Sequence, residues 1–99
     1  MEELEKLRIE IDFLDNELLK VLGKRFATTR KIGEIKRLNN FATTDESRLN
    51  QILHHWRTLA DQYMLNQEMA EAILLSLHGF VIKEHEKEMP AFSISPKVG

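Results

Sequence analysis

The stretch that decides the fold is Glu2–Leu38, EELEKLRIEIDFLDNELLKVLGKRFATTRKIGEIKRL. Along it Leu7, Ile11, Leu14, Leu18, Val21, Arg25, Thr28, Ile32 and Ile35 recur at alternating steps of four and three. That spacing is a heptad seam, the signature of a helix that packs lengthwise on another. No proline precedes Pro90, and no alternating β-branched run suggests a strand. A helix over 2–38 is ~55 Å long at ~1.5 Å per residue. A compact domain of this size has a radius of gyration near ~13 Å. So short a chain cannot cover so long a helix. The seam predicts a partner helix, most simply the same helix of a second subunit.

Beyond that helix the pattern stays helical. Asn39-Asn40-Phe41-Ala42 reads as a loop. Thr43, with Glu46 three positions on, predicts a capping box. A second helix follows from about Thr44 to Gln62, with Leu49, Ile52, Leu53, Trp56, Leu59, Ala60 and Tyr63 as its apolar stripe. Asn66 is the expected N-cap of a third helix, which carries Met69, Ala70, Ile73, Leu74, Leu77, Phe80 and Val81 and continues to about Glu88. Pro90 and Pro96 predict a flexible tail over 90–99, leaving 1–89 as one helical domain. The fold class is all-α: a three-helix subunit with a long first helix.

Composition narrows the chemistry. The chain has 99 residues, 14 Lys plus Arg, 16 Asp plus Glu and a net charge of −2. That balance lacks the basic footprint of a nucleic-acid binder, so no nucleic-acid partner is expected. The absence of cysteine excludes disulfides, thiolate metal sites and a cysteine nucleophile. No apolar run reaches membrane-spanning length. The acidic start Met1-Glu2-Glu3-Leu4-Glu5-Lys6 does not resemble a secretory signal, so a soluble cytoplasmic protein is expected. The four histidines contain no i,i+4 pair, and no metal site is expected. Phosphate loops, nucleophile elbows and dinucleotide fingerprints are absent as well.

Several residues break the helical pattern. Arg25 stands where the seam calls for an apolar side chain, and burying an unpaired guanidinium is costly. Either it snorkels or pairs with a carboxylate, or it lines a cavity built for an anion. Lys36 lies eleven residues on, which at ~100° per residue returns to within ~20° of the same face. Between them is Gly33, which costs roughly 1 kcal/mol relative to alanine in a helix interior. It leaves room for a ligand or for a close backbone approach; Lys36 also reads simply as a solvated cation near a helix end. Arg8 is about 25 Å from Arg25 along the axis, too far for one small ligand on one helix. It is a surface residue or is donated by a second, antiparallel subunit. Arg48, in the first turn of the second helix, forms a local pair with Asp45 or meets an anion.

These residues resemble a known family, the all-helical (AroQ-type) chorismate mutases. The resemblance is carried by Leu7-Arg8-Ile9-Glu10-Ile11-Asp12, Leu14-Asp15, Leu18-Leu19, Lys24-Arg25, Ile32-Gly33-Glu34-Ile35-Lys36 and Asp45-Glu46-Ser47-Arg48. It is specific over 4–53, weakens over 54–88 and is absent from the tail. It implies an intertwined helical homodimer that converts chorismate to prephenate for phenylalanine and tyrosine biosynthesis, without metal or cofactor. It implies that Arg25 and Arg48 bind the substrate carboxylates, that Arg8 is donated across subunits, that Lys36 meets the ether oxygen and that Asp45 helps hold the ring hydroxyl. Leu49 stands where the family has a glutamate for that hydroxyl. On the third helix an ungapped count puts Val81 at the family's serine and His85 at its glutamine, which contacts the ether oxygen; a one-residue shift puts Phe80 and Glu84 there. His85 would donate a hydrogen bond in either protonation state, whereas Glu84 would have to be protonated. An isochorismate-pyruvate lyase of the same fold, an aminodeoxychorismate mutase and a non-catalytic helical dimerisation or regulatory module remain alternatives.

Overall fold

The computed structural model describes the backbone over 2–42 and 45–94, and side chains within that span up to Glu86. Among these residues there are three helices and no strand: α1, Glu2–Leu38; α2, Glu46–Gln62; and α3, Gln67–Ile94. The bounds of α1 are those that the seam predicts. No helix among the described residues is long and apolar enough to cross a membrane.

Both ends of the α2 segment have identifiable causes. Asp45 is its N-cap, with extended backbone and a carboxylate that accepts the Arg48 amide at 3.1 Å. This differs from the expected box: Glu46 is the first helical residue rather than the third, and Thr43 and Thr44 lie outside the described residues. A carboxylate one residue before the helix reaches the third amide directly, so Asp45 serves as the cap. At the other end Leu65 N–H donates to Ala60 O at 2.8 Å, across Met64 with φ 60°. The end of α1 is built in the same way, with Phe41 N–H on Lys36 O at 2.8 Å across Asn40, φ 57°. Both are left-handed helix stops of the Schellman type. Asn66 caps α3 as expected, its side-chain oxygen accepting the Met69 amide at 2.8 Å.

The third helix departs from expectation at its far end. Its backbone remains helical to Ile94, past Pro90 and beyond the expected end near Glu88. A proline removes one intrahelical donor, and the helix continues here at that cost. Residues 95–99 of the expected tail lie outside the described residues.

Among the described residues the backbones of α2 and α3 pack together, as do those of α3 and α1, while α1 and α2 meet through the Arg25 and Trp56 side chains. The core is small: Ala60, Ala70 and Leu74 are the buried apolar side chains. Alanines at the crossing let the α2 and α3 backbones approach. Across them Arg57 Nε donates to Glu71 Oε2 at 2.7 Å. That hydrogen bond holds the Glu71 carboxyl below its ordinary range, and the Arg57 charge adds to it against the opposing effect of burial. On α1 the only buried described residue is Gly33. Leu7, Ile11, Leu14, Leu18 and Val21 of the seam are each half exposed or more. The molecule measures 57 × 31 × 16 Å, with a radius of gyration of 17.6 Å. That is well above the ~13 Å of a compact chain of this length, because the first half of α1 projects beyond the other helices.

Candidate active site

A cavity of about 350 Å³ opens where the second half of α1 meets the start of α2 and the middle of α3. Its size suits a small organic ligand. Arg25, Thr28, Thr29, Ile32 and Lys36 come from α1, Asp45, Arg48, Leu49 and Ile52 from the start of α2, and Leu74, His78, Val81, Ile82 and His85 from α3. Helical geometry explains the first set: these residues share the face that Arg25 and Lys36 define. Capping explains the second, since Asp45 fixes the first turn of α2 and with it the Arg48 position. Among the described residues no group of three or more His, Asp or Glu is arranged to hold a metal ion.

The lining has three cations, Arg25, Lys36 and Arg48, and one carboxylate, Asp45. Such a wall favours a ligand with more than one negative charge. Arg25 does not pair with a carboxylate. Among the described residues its guanidinium forms no hydrogen bond or ion pair, and it lies over the Trp56 ring, 5.9 Å from the centroid. The ring face attracts the cation at that distance and leaves its N–H groups available. Arg48 does not form the local ion pair with Asp45 either. Asp45 Oδ1 takes the Arg48 backbone amide, while the guanidinium reaches Gln51 Oε1 at 3.4 Å. Lys36 is half-buried in the wall.

Gly33 accommodates a neighbour rather than a ligand. A Cβ there would stand 2.5 Å from Cδ2 and Nε2 of His85. The missing side chain is what lets the α3 imidazole seat against α1. Nε2 lies 3.0 Å from the Thr29 carbonyl oxygen. A carbonyl only accepts, so Nε2 carries the proton and donates. Nδ1 is sealed from solvent without a partner, and His85 as a whole is 7% exposed. The expectation was that His85 donates to a ligand; in the structure its Nε2–H is given to the Thr29 carbonyl.

Glu84 and Arg8 stand elsewhere. One helical step turns Glu84 out of the cavity wall, and its carboxylate pairs with Arg30 of α1 at 3.4 Å. Glu84, expected to bind substrate, is not among the residues that line this cavity. Arg8 lies on the exposed first half of α1, outside the lining. Phe80 is exposed, whereas Val81 and Leu49 both line the wall. Trp56 and His78 are not among the site residues that the sequence predicts. Trp56 fits the α2 apolar stripe, so its contact with Arg25 is visible only in three dimensions. His78 precedes His85 by two turns and lines the same wall.

The family model for chorismate mutase type II matches residues 7–86. Over 36 residues the chain is 53% identical to the bifunctional chorismate mutase/prephenate dehydratase of Aquifex aeolicus (strain VF5), a stretch that is 36% of this chain and 10% of that protein. The chain thus matches only a small part of that relative's length. No solved structure matches. With the match running from the seam of α1 through the cavity wall of α3, the chain belongs to the chorismate mutase type II family.

Proposed function

We propose that this chain is a chorismate mutase, which rearranges chorismate to prephenate in the biosynthesis of phenylalanine and tyrosine. The observation that carries the reading is the convergence of Arg25, Lys36 and Arg48 on one cavity with a single opposing carboxylate. Three cations against one carboxylate leave that wall with a net positive charge of two, matching a dicarboxylate. Arg25 and Arg48 take the two carboxylates, for which the planar guanidinium is suited. Clamping both carboxylates favours the conformer in which the reacting carbons meet. The rearrangement is unimolecular and requires no nucleophile or base from the protein. Negative charge grows on the ether oxygen as its C–O bond breaks, and the Lys36 ammonium stabilises it there. Asp45 accepts from the ring hydroxyl through the oxygen that is not capping α2. His85 acts as a positioning residue that seats α3 against α1.

The working unit in this reading is a homodimer. The half-exposed seam of α1 supports it, since a second copy would cover that seam and bring its own Arg8 towards the cavity. Leu49 in the wall supports one alternative substrate, isochorismate, because an apolar residue there does not select for the ring hydroxyl of chorismate.

The test is product identification by NMR and mass after incubation with chorismate, then with isochorismate. Prephenate is the expected product, and Lys36→Ala should lower kcat about a hundred- to a thousandfold, the scale of a lost transition-state charge contact. Circular dichroism should show that variant still helical. Full activity of Lys36→Ala would refute the assigned role. Release of pyruvate from isochorismate, with chorismate untouched, would replace the mutase by a lyase.

A further inference from the structure

We propose that His78 is a substrate-contacting residue that sets specificity by hydrogen bonding the ring hydroxyl. The inference rests on the mutase reading and adds to it a residue on α3. A hydroxyl has one proton to give and lone pairs that accept. When it donates to a carboxylate such as Asp45, its oxygen still needs a donor. The three cations of the wall are committed to the carboxylates and the ether oxygen. Thr28 Oγ1 donates to Lys24 O and Thr29 Oγ1 to Phe26 O, each at 3.0 Å, so neither hydroxyl has a proton to spare. His85 gives its one N–H to Thr29. Leu49, Ile52 and Val81 are apolar.

His78 is what remains. It lines the same cavity and is half-buried. Its imidazole forms no hydrogen bond or ion pair among the described residues, and neither ring nitrogen is sealed from solvent. A neutral imidazole carries one donor and one acceptor, which suits a hydroxyl better than a cation or a carboxylate does. A ligand seated on α3 therefore finds one uncommitted polar side chain there, two turns before His85.

The experiment compares chorismate with an analogue that lacks the ring hydroxyl, using unaltered protein, His78→Leu and His78→Gln. For chorismate, His78→Leu should raise KM about tenfold, the scale of one hydrogen bond lost. It should leave the analogue's KM within about twofold, so that the preference for the hydroxylated substrate disappears. His78→Gln, which restores a donor, should recover most of that preference. A merely structural role would move both substrates alike. Equal effects on both, or no effect on either, would overturn the inference and leave the mutase intact. Unaltered protein that does not convert chorismate would overturn the mutase reading, and the inference with it.

Discussion

Gly33 shows how a single hydrogen in place of a methyl group organises the cavity. Alanine ordinarily favours a helix over glycine by roughly 1 kcal/mol. Gly23, whose missing Cβ would meet nothing within 4 Å, should follow that rule, and Gly23→Ala should raise the melting temperature. Gly33→Ala should do the opposite. Its Cβ would stand 2.5 Å from a ring that is itself packed in, so His85 must leave Thr29 or α3 must move off α1. A net loss of about 1–3 kcal/mol is expected, the usual cost of overpacking, read by thermal denaturation of the two variants side by side. The sequence marks Gly33 as out of place but cannot say what fills its space. The filler comes from a residue 52 positions away, and only the approach of α3 identifies it. The same holds for Trp56: its stripe position is plain from spacing, its contact with Arg25 is not. Periodicity made Arg25 and Lys36 legible as one face of α1, whereas the expectation that Asp45 and Arg48 join them came from the family resemblance.

Among the elements, α1 is legible to the residue at both ends, since nothing interrupts its period before Leu38. The start of α2 is less so, because adjacent Thr and Asp residues compete for one capping position and side-chain reach decides. The turn into α3 contains a correctable cost. Met64 sits at φ 60° and is 92% exposed, so it bears the penalty of left-handed backbone without packing in return. Met64→Gly should stabilise the chain by about 1 kcal/mol, seen as a melting point raised by several degrees. The bridge from α2 to α3 carries a pH signature. Arg57 lowers the Glu71 pKa in the folded state, first by its hydrogen bond. A depressed carboxyl pKa contributes stability above its unfolded value, and that contribution is lost as pH falls through the folded value. Glu71→Gln should therefore melt slightly below the unaltered protein at neutral pH. The gap should close in acid below the ordinary value of 4.5, as paired thermal melts would show.

For the whole molecule the governing fact is shape. A chain with a radius of gyration of 17.6 Å and one buried residue on its longest helix has an unfinished surface. The seam residues Leu7, Ile11, Leu14, Leu18 and Val21 form a contiguous apolar stripe too long for chance exposure. Two copies joined along it should give twice the 11.6 kDa chain mass by light scattering. Leu14→Glu should shift that mass towards the single chain and, on the proposed dimer, reduce the proposed mutase activity at least about tenfold, because it would also withdraw the second copy's Arg8. A single-chain mass with full activity in the unaltered protein would refute the dimer.

The position of Arg25 over Trp56 gives the molecule an optical property. Trp56 is the chain's one tryptophan, so all indole emission originates beside a guanidinium at the cavity wall. A dicarboxylate that draws Arg25 away from the ring alters the electric field at the indole. Binding therefore becomes readable as a change in intrinsic fluorescence, in unlabelled protein, before any bond in the ligand has broken.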